Sequence, residues 1–418
     1  MQFDFSTIQC SWMVNKVTTY FLRRGTAVNA CLLDCSKAFD KCRFDKLFDK
    51  LISKGFPPIV VRVLVFAYEE QTGWVKLAGK QSTSFRITNG TRQGSVLSPI
   101  LFSVYLDDLL KDLRKLNLGC HIGGLWFGAS GYADDLILLA PNRDVLQRML
   151  QVCEGYAAEH NLVFSTDPSP TKSKSKCVLF CGKLGKVRHP DPLQLDGKDL
   201  PAEHLGHTLH QVSNMDKDCK RARARFIAKS LEVRNQLSFA DPKIIMKALQ
   251  IFCTDAYGSM LRDLSSEGAE SFFKCWNTNV KLVYGLPRNT FTYLVEGLFA
   301  EYSTSLRIPI FSRYSGFYRK LLLSPSKEVQ FLARIVASDP RSTTCKNLKH
   351  LSKKTSMAQP HFYSPERIKA ALPVQLVPEA EQWRLGLLSS LLIVRDEKLN
   401  RVEDTRHICA MIESLCST

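Results

Sequence analysis

The most informative segment of the sequence is Tyr132-Ala133-Asp134-Asp135, which follows Gly128-Ala-Ser-Gly131 and precedes Leu136-Ile-Leu-Leu139. An apolar run next to a glycine-containing turn is typical of a β-hairpin. Two adjacent carboxylates at the tip of a hairpin repel each other, and a divalent cation would neutralise the pair. An alternative stays open, because Asp-Asp after a turn is also common as a helix cap or a solvated turn.

A third carboxylate, Asp34, ends the apolar segment 26–34. This segment is short, apolar and ended by an acid, which predicts a buried strand. If this strand lies beside the hairpin in one sheet, the three acids converge at one edge, where two Mg²⁺ ions about 3.5–4 Å apart would fit. The chemistry of such a site is phosphoryl transfer by positioning and electrostatics.

Apolar periodicity predicts an α+β domain followed by a nearly all-helical region. Helices are predicted at 36–54, 59–70, 99–116 and 143–160, and strands at 26–34 and 176–181. Two hairpins are predicted, one formed by 74–78 with 83–88 and the other by 122–127 with 136–140. Asp107 and Asp108 fall inside a predicted helix, so we interpret them as surface or packing detail. Helices dominate from about residue 215, but 340–361 carries five Lys/Arg without an apolar period, which predicts a loop or linker.

The positive charge of the chain is concentrated in its middle. The whole chain has 57 Lys+Arg against 40 Asp+Glu, and residues 181–365 hold 28 of the basic and 16 of the acidic side chains. Read as a helix, Lys217, Lys220, Arg221 and Arg225 recur on one face. Such a face could follow a phosphate backbone, although a solvated helix face is the alternative interpretation.

Composition excludes several classes of protein. Apolar residues make up 45% of the chain, so wholesale disorder is excluded. No apolar run reaches the roughly 18 residues of a membrane span, and the start of the chain lacks a basic segment before a long apolar stretch. We therefore expect a nuclear or cytoplasmic protein that is neither secreted nor bound to a membrane, with its 14 scattered cysteines reduced.

Three segments together resemble the successive motifs of reverse transcriptases, most of all those of non-LTR (LINE-type) retrotransposons. They are Asp34-Cys-Ser-Lys-Ala-Phe39-Asp40, Gly90-Thr-Arg-Gln-Gly94-Ser-Val-Leu-Ser-Pro99 and Tyr132-Ala-Asp134-Asp135. The resemblance is strong over residues 31–180 and continues more weakly to about 350. About 30 residues precede Asp34, fewer than the family's fingers region has, so we expect an N-terminally truncated or decayed copy.

The resemblance implies a domain order. Residues 1–30 would be a remnant of the fingers and 31–200 a polymerase palm, an antiparallel sheet with helices on one face. Residues 201–290 would be a basic, mostly helical thumb. Residues 291–418 would be a C-terminal helical region containing the basic linker.

The resemblance also implies catalytic roles. Asp34, Asp134 and Asp135 would be the ligands of two Mg²⁺ ions, with Mn²⁺ as a substitute. Lys176 would approach the triphosphate and protonate the leaving pyrophosphate. Lys174 and Lys172 lie close enough in a loop to compete for that role.

Further residues would contact the substrates. Phe39 would lie under the sugar of the incoming nucleotide and exclude a 2′-hydroxyl; the alternative is that Phe39 packs in the core. Gln93, Gly94 and Tyr132 would line the nucleotide and template side. The segment Leu205–Leu209 would be the primer-grip hairpin. The four cationic side chains of the thumb, Lys217, Lys220, Arg221 and Arg225, would hold the template–primer backbone.

Three functions follow from these features. The first is RNA-directed DNA synthesis from dNTPs on an RNA template and a DNA primer; protein partners are not predicted. The second is a catalytically inactive remnant of such an enzyme that still binds nucleic acid. The third is a metal-dependent phosphotransferase or cyclase for free nucleotides, against which the long cationic region argues.

Overall fold

The computed structural model describes part of the chain, and the described part forms two compact units. The described residues are 7–92, 94–132, 134–166, 173–181, 193–195, 197–199, 215–237, 240–253, 259–290, 307–358 and 367. Unit 1 contains Met1–Leu209 and Pro325–Leu332, and unit 2 contains His210–Ser324 and Ala333–Thr418. The finer boundaries between fingers, palm, thumb and C-terminal region stay predictions.

The described elements up to residue 199 alternate between helices and strands. The helices are α1 (Thr7–Leu22), α2 (Ala38–Lys41), α3 (Phe44–Ser53), α4 (Pro58–Glu69), α5 (Ser98–Lys115) and α6 (Arg143–Glu159). The strands are β1 (Val28–Asp34), β2 (Thr72–Gly73), β3 (Lys76–Leu77), β4 (Lys80–Gln81), β5 (Phe85–Arg86), β6 (His121–Ile122), β7 (Leu125–Trp126), β8 (Ala129–Tyr132), β9 (Asp135–Ala140), β10 (Lys176–Phe180), β11 (Gln194–Leu195) and β12 (Lys198–Asp199).

The described part after residue 214 is helical. It contains α7 (Met215–Gln236), α8 (Pro242–Ala248), α9 (Glu267–Val283), α10 (Arg307–Leu322), α11 (Lys327–Ser338) and α12 (Thr343–Thr355), with a π-helical turn at Leu249–Cys253 and a 3₁₀ turn at Ser259–Leu261. No helix in the described ranges combines the length and the apolar character needed to cross a membrane.

A four-stranded antiparallel sheet in the order β10-β1-β9-β8 organises unit 1. Side chains alternate between the two faces of a strand, so Cys31 and Leu33 of β1 share one face. These two residues are buried in a core with Phe102 and Leu109 of α5 and Met149 of α6. The predicted α+β class is correct, because helices cover a mainly antiparallel sheet.

Two local predictions for unit 1 were wrong. The partner of β9 is β8, over residues 129–132, whereas 122–127 falls in a separate hairpin of β6 and β7. The helix predicted over 36–54 breaks into α2 and α3 at Cys42, whose backbone is extended (φ −62°, ψ 115°). Periodicity could not reveal this break because neither glycine nor proline marks it.

Unit 2 has an aromatic core. Phe272, Phe273, Trp276 and Tyr284 are all buried in one cluster with Phe226 of α7. The ring of Phe226 lies 5.2 Å from that of Trp276.

The linker predicted at 340–361 is wrong, since residues 343–355 form α12. The side chain of Ser342 caps this helix by accepting a hydrogen bond from the Cys345 backbone N–H at 3.0 Å. Asn347 and Leu351 are buried, and the Asn347 side chain bonds the backbone of Arg262 and Leu264. Buried polar contacts thus replace the apolar stripe that we expected of a helix.

An ion network joins α3 to α5 on the helical side of unit 1. Lys50 contacts Asp108 at 2.6 Å, and Lys54 bonds both Asp107 and Asp108. Burial alone would raise the pKa of Asp107, but hydrogen bonds from Lys54 and Lys111 outweigh it and hold that pKa well below its usual value. Lys50 and Lys54 outweigh burial in the same way and lower the pKa of Asp108 to about 2. Asp107 and Asp108 therefore hold α5 against α3, a structural role beyond the surface or packing detail that we expected.

We expect Lys54→Ala to destabilise unit 1 by about 2 kcal/mol, because it removes charged hydrogen bonds from two partly buried carboxylates. The pKa values of Asp107 and Asp108 are depressed in the folded state. The stabilisation is therefore present above about pH 4, where both groups are ionised in the unfolded chain, and is lost as the pH falls towards 2. Thermal unfolding at several pH values measures the free energy of unfolding of the variant and of the wild type. The difference between these two free energies should become smaller in acid.

The matched control for this prediction is Lys115→Ala. Lys115 pairs with Asp112 on the surface of α5, and its side chain is 77% exposed, so its loss should cost about 0.5 kcal/mol or less. Equal destabilisation by the two variants would contradict the assigned role of the network.

Candidate active site

The register of β1 and β9 brings two of the three predicted acids together. Asp34 is the Cα partner of Asp135 in this antiparallel pair, and directly opposed residues have their side chains on the same face. Asp134 precedes Asp135 in the turn between β8 and β9. Residues 100 positions apart in sequence therefore meet at one edge of the sheet, as the sequence predicted for neighbouring strands.

Backbone hydrogen bonds hold Asp34 in place. Its N–H donates to the Ser175 hydroxyl at 3.1 Å, and its carbonyl accepts from the Ser165 N–H at 2.8 Å. The Ser175 N–H in turn donates to the Ser165 carbonyl, and Ser175 is fully buried. Sequence reasoning missed both serines, since nothing in a polar Ser/Lys-rich loop distinguishes a buried hydroxyl from a solvated one.

The three acids create a negative site. Partial burial, and then the negative charges of Asp134 and Asp34, raise the pKa of Asp135, although the residue as a whole is exposed. Burial and the same three carboxylates raise the pKa of the Cys35 thiol to about 12. Cys35 is thus a protonated core residue.

The carboxylates offer oxygen ligands, which hard divalent cations prefer. Their side chains are not gathered around one point: among the described residues, no three His, Cys, Asp or Glu side chains are arranged to hold a single metal ion as they stand. Carboxylates that the backbone brings to one edge repel each other, which contributes, after burial, to the raised pKa of Asp135. A bound cation would remove that repulsion.

Two lysines lie on the Asp34 side of the sheet. The ammonium of Lys174 lies 3.9 Å from an Asp34 carboxylate oxygen and is 71% exposed. Lys176 begins β10 and is the Cα partner of Leu32, so it shares the face of Leu32 and Asp34. The structure brings both lysines to the acidic edge, whereas Lys172 lies outside the described residues.

Phe39 lies on α2, the first helix after Asp34. Its ring packs on that of Phe102 at 5.1 Å, and the residue is half-buried. Phe39 and Tyr132 line one cavity of about 720 Å³, which runs along Ile100, Ser103 and Lys111 of α5. Phe39 therefore packs on the core, which was one of the two alternatives, and also borders an open space; its contact with a sugar stays a prediction.

A loop following β5 is anchored to the turn that carries Phe39. The Thr91 N–H donates to the Phe39 carbonyl at 2.6 Å and the Gly90 N–H to the Cys42 carbonyl at 2.8 Å. At Gly90 (φ +96°) a Cβ would lie only 3.0 Å from the Asp40 backbone, whereas Gly94 (φ +84°) has open space around it. Gly90, a residue to which sequence reasoning gave no role, therefore packs closely on the backbone next to Phe39, and the contact of Gly94 with a nucleotide or template stays a prediction.

The remaining predicted contact residues are partly described. Gln93 lies outside the described residues, as does the expected primer-grip segment 205–209. On α7 the side chains of Lys220, Arg221 and Arg225 are exposed, while Cys219 and Phe226 are buried. Lys217 is part of this helix, but its side chain lies outside the described part.

Comparisons with known proteins agree with the motif order. Residues 2–209 match the family described as reverse transcriptase (RNA-dependent DNA polymerase). A retrovirus-related Pol polyprotein from the type-1 retrotransposable element R2 of Nasonia vitripennis is 31% identical over 157 residues, covering 38% of this chain and 15% of the relative. The corresponding protein of element R2DM in Drosophila melanogaster is 32% identical over 153 residues, covering 35% and 14%. The matched region therefore spans about 15% of the length of these relatives.

Solved structures include a more distant similarity. The apo telomerase of Candida tropicalis is 12% identical, with coverage of 97% of this chain and 57% of that one and a TM-score of 0.37.

We expect Asp34→Asn to lower the pKa of Asp135 towards its ordinary value, because the substitution removes one of the two neighbouring charges that raise it. An NMR titration of protein labelled at the aspartate carboxyl carbons measures the change. Asp112→Asn, a surface carboxylate on α5, is the control and should leave the Asp135 titration unchanged. If the two variants had the same effect, the assigned electrostatic coupling would be wrong.

Proposed function

Since residues 2–209 are a reverse transcriptase domain of the non-LTR retrotransposon type, we propose that this chain catalyses RNA-directed DNA synthesis from dNTPs on a primed RNA template. The observation that carries the proposal is the pairing of Asp34 with Asp135, next to Asp134. This arrangement places three carboxylates at one edge of the sheet, with two lysines nearby.

The donor set suits Mg²⁺, or Mn²⁺ in its place, because all three residues offer carboxylate oxygens and their mutual repulsion favours a cation. Asp34, Asp134 and Asp135 would hold two such ions. When bound, the ions would supply charge neutralisation at the phosphates and a lower pKa for the attacking primer hydroxyl. Everything else in the reaction falls to the side chains of this chain.

The lysines would serve the triphosphate. Lys174 is within 3.9 Å of Asp34, and Lys176 shares the same face of the sheet. We assign to Lys176 the proton donated to the leaving pyrophosphate. Lys174 would neutralise the phosphates, since it is exposed and already faces the carboxylates.

The ring of Phe39 would select the sugar. Because it is held against Phe102 at 5.1 Å, it cannot retreat freely into a core that is already close-packed. A 2′-hydroxyl placed against it would clash, so deoxynucleotides would be favoured. Tyr132, which borders the same cavity, and Gly94 would complete the nucleotide side.

The basic face of α7 would hold the template–primer duplex. Lys220, Arg221 and Arg225 are exposed, and the opposite side of the helix is fixed by the burial of Phe226 and Val233. A rigid row of cations can contact successive phosphates and release their counterions.

We expect Asp134→Asn to reduce primer extension by more than about a hundredfold, because one charge that the reacting phosphates require is lost. The assay is dNTP incorporation on an RNA template with a DNA primer in Mg²⁺. Binding of the primed template, measured by fluorescence anisotropy, should be retained. Asp112→Asn serves as the control and should extend normally.

The same assay separates the polymerase from an inactive remnant. Folded wild-type protein that binds the primed template but adds no nucleotide would contradict the proposed activity. It would then support the nucleic-acid-binding remnant.

The slope of log K against log [salt] for duplex binding is negative, and Arg225→Ala should reduce its magnitude by about 1, because one phosphate contact is lost. Anisotropy titrations at several KCl concentrations give this slope. Lys320→Ala removes an exposed cation from α10 in the same unit and should leave the slope unchanged. A slope that does not respond to Arg225→Ala would exclude this helix face from the duplex contact.

A further inference from the structure

The segment between α4 and α5 has a distinctive charge. From Gln71 to Leu97 it contains no Asp or Glu, but it includes Lys76, Lys80, Arg86 and Arg92. By contrast, residues 1–180 as a whole contain 22 basic and 16 acidic side chains. The segment is therefore a locally cationic surface in a region of nearly balanced charge.

Most of this segment is one hydrogen-bonded hairpin, residues 71–87, which we call the basic hairpin. Its strand pairs are β2 with β5 and β3 with β4, and Ala78 and Gly79 close it with positive φ angles, as in the tight turns of hairpins. Between the two pairs, the Ser82 N–H donates to the Val75 carbonyl and the Val75 N–H donates to the Ser82 hydroxyl, both at 2.9 Å. The backbone is paired along its length and can present side chains in a fixed arrangement.

Aromatic side chains on the basic hairpin face solvent. Trp74 is 56% exposed and Phe85 51% exposed, whereas Trp12 and Trp276 are 1% exposed. The Phe85 ring lies over the open side of Gly73, 3.3 Å from where a Cβ would be, so it is held close to the strand. Two large aromatic residues that stay about half exposed on one short hairpin are typical of a binding surface rather than of a core.

Cations flank these rings. Lys76 lies two residues after Trp74, and Arg86 follows Phe85; all three strand cations, Lys76, Lys80 and Arg86, are exposed. The Arg86 Nε donates to the Glu69 carbonyl at 2.9 Å, which anchors that side chain at the base of the hairpin. Aromatic faces with adjacent cations are the combination that binds single-stranded nucleic acid, by stacking on bases and by contact with phosphates.

The basic hairpin leads directly to the predicted site. Its second strand continues into Gly90, whose Cα position is packed on the backbone of Asp40, and Thr91 bonds the Phe39 carbonyl. A strand bound on the hairpin would therefore lie on an element that is hydrogen-bonded to the turn carrying Phe39.

We propose that the basic hairpin binds single-stranded RNA, with Trp74 and Phe85 stacking on bases and Lys76, Lys80 and Arg86 contacting phosphates. A protein partner fits less well, because the absence of acidic residues gives one sign of charge across the whole segment. The inference rests on the proposed function in one respect, that the bound strand is the unpaired part of the template.

Oligo(U) RNA titrated into the full chain tests the proposal through tryptophan fluorescence and through anisotropy of labelled RNA. Stacking on Trp74 should quench indole emission, and Trp74→Leu should remove that part of the quenching and weaken binding about tenfold. Trp74→Phe keeps an aromatic face and should restore most of the affinity. Phe66→Ala removes another exposed ring of the same unit, 71% exposed on α4, and should change nothing.

Two results would overturn the proposal. One is oligo(U) affinity and quenching that are the same in Trp74→Leu as in the wild type. The other is loss of self-association by Trp74→Leu in sedimentation with RNA binding intact, which would make the hairpin a protein interface. Neither readout needs nucleotide addition, so the two proposals can fail separately. RNA binding without primer extension would contradict only the proposed polymerase activity. Primer extension without Trp74-dependent quenching would contradict only the proposed RNA binding by the basic hairpin.

Discussion

The pairing of β1 with β9 is the constraint on which the site depends. It sets Asp34 opposite Asp135, and a slip of one residue would turn Asp34 to the opposite face of the sheet. The register is held by the apolar face, where Cys31, Leu33 and Leu138 are buried. Packing on one side of the sheet therefore keeps like charges together on the other, and burial together with these charges raises the pKa of Asp135.

The elements around the sheet supply the rigidity that this arrangement requires. Ser165 and Ser175 hold the backbone of Asp34, and the Lys54 contacts with Asp107 and Asp108 join α3 to α5. α5 also carries Phe102, on which Phe39 rests. A charge network on the helical side thus supports the helix on which a ring that borders the cavity is packed.

The charges of the chain act at two ranges. The exposed cations of α7 and of the basic hairpin would attract a polyanion at long range, and salt would screen that attraction. The three acids lie within a few residues or one strand of each other and would oppose phosphate unless cations intervened. A basic protein with a small acidic centre therefore has the charge pattern that a metal-dependent enzyme on nucleic acid needs.

Local sequence determined much of this protein. Apolar runs located β1, β9, α5 and α6, and the motif around Asp134 and Asp135 predicted a hairpin tip, because periodicity and turn residues act over a few neighbours. Tertiary packing determined which strands pair, so the partner of β9 was predicted wrongly and the break at Cys42 was missed. It also decided which short polar residues are buried. Ser175, Asn347 and Gly90 have roles that depend on backbone groups far away in sequence, and no local pattern encodes such a contact.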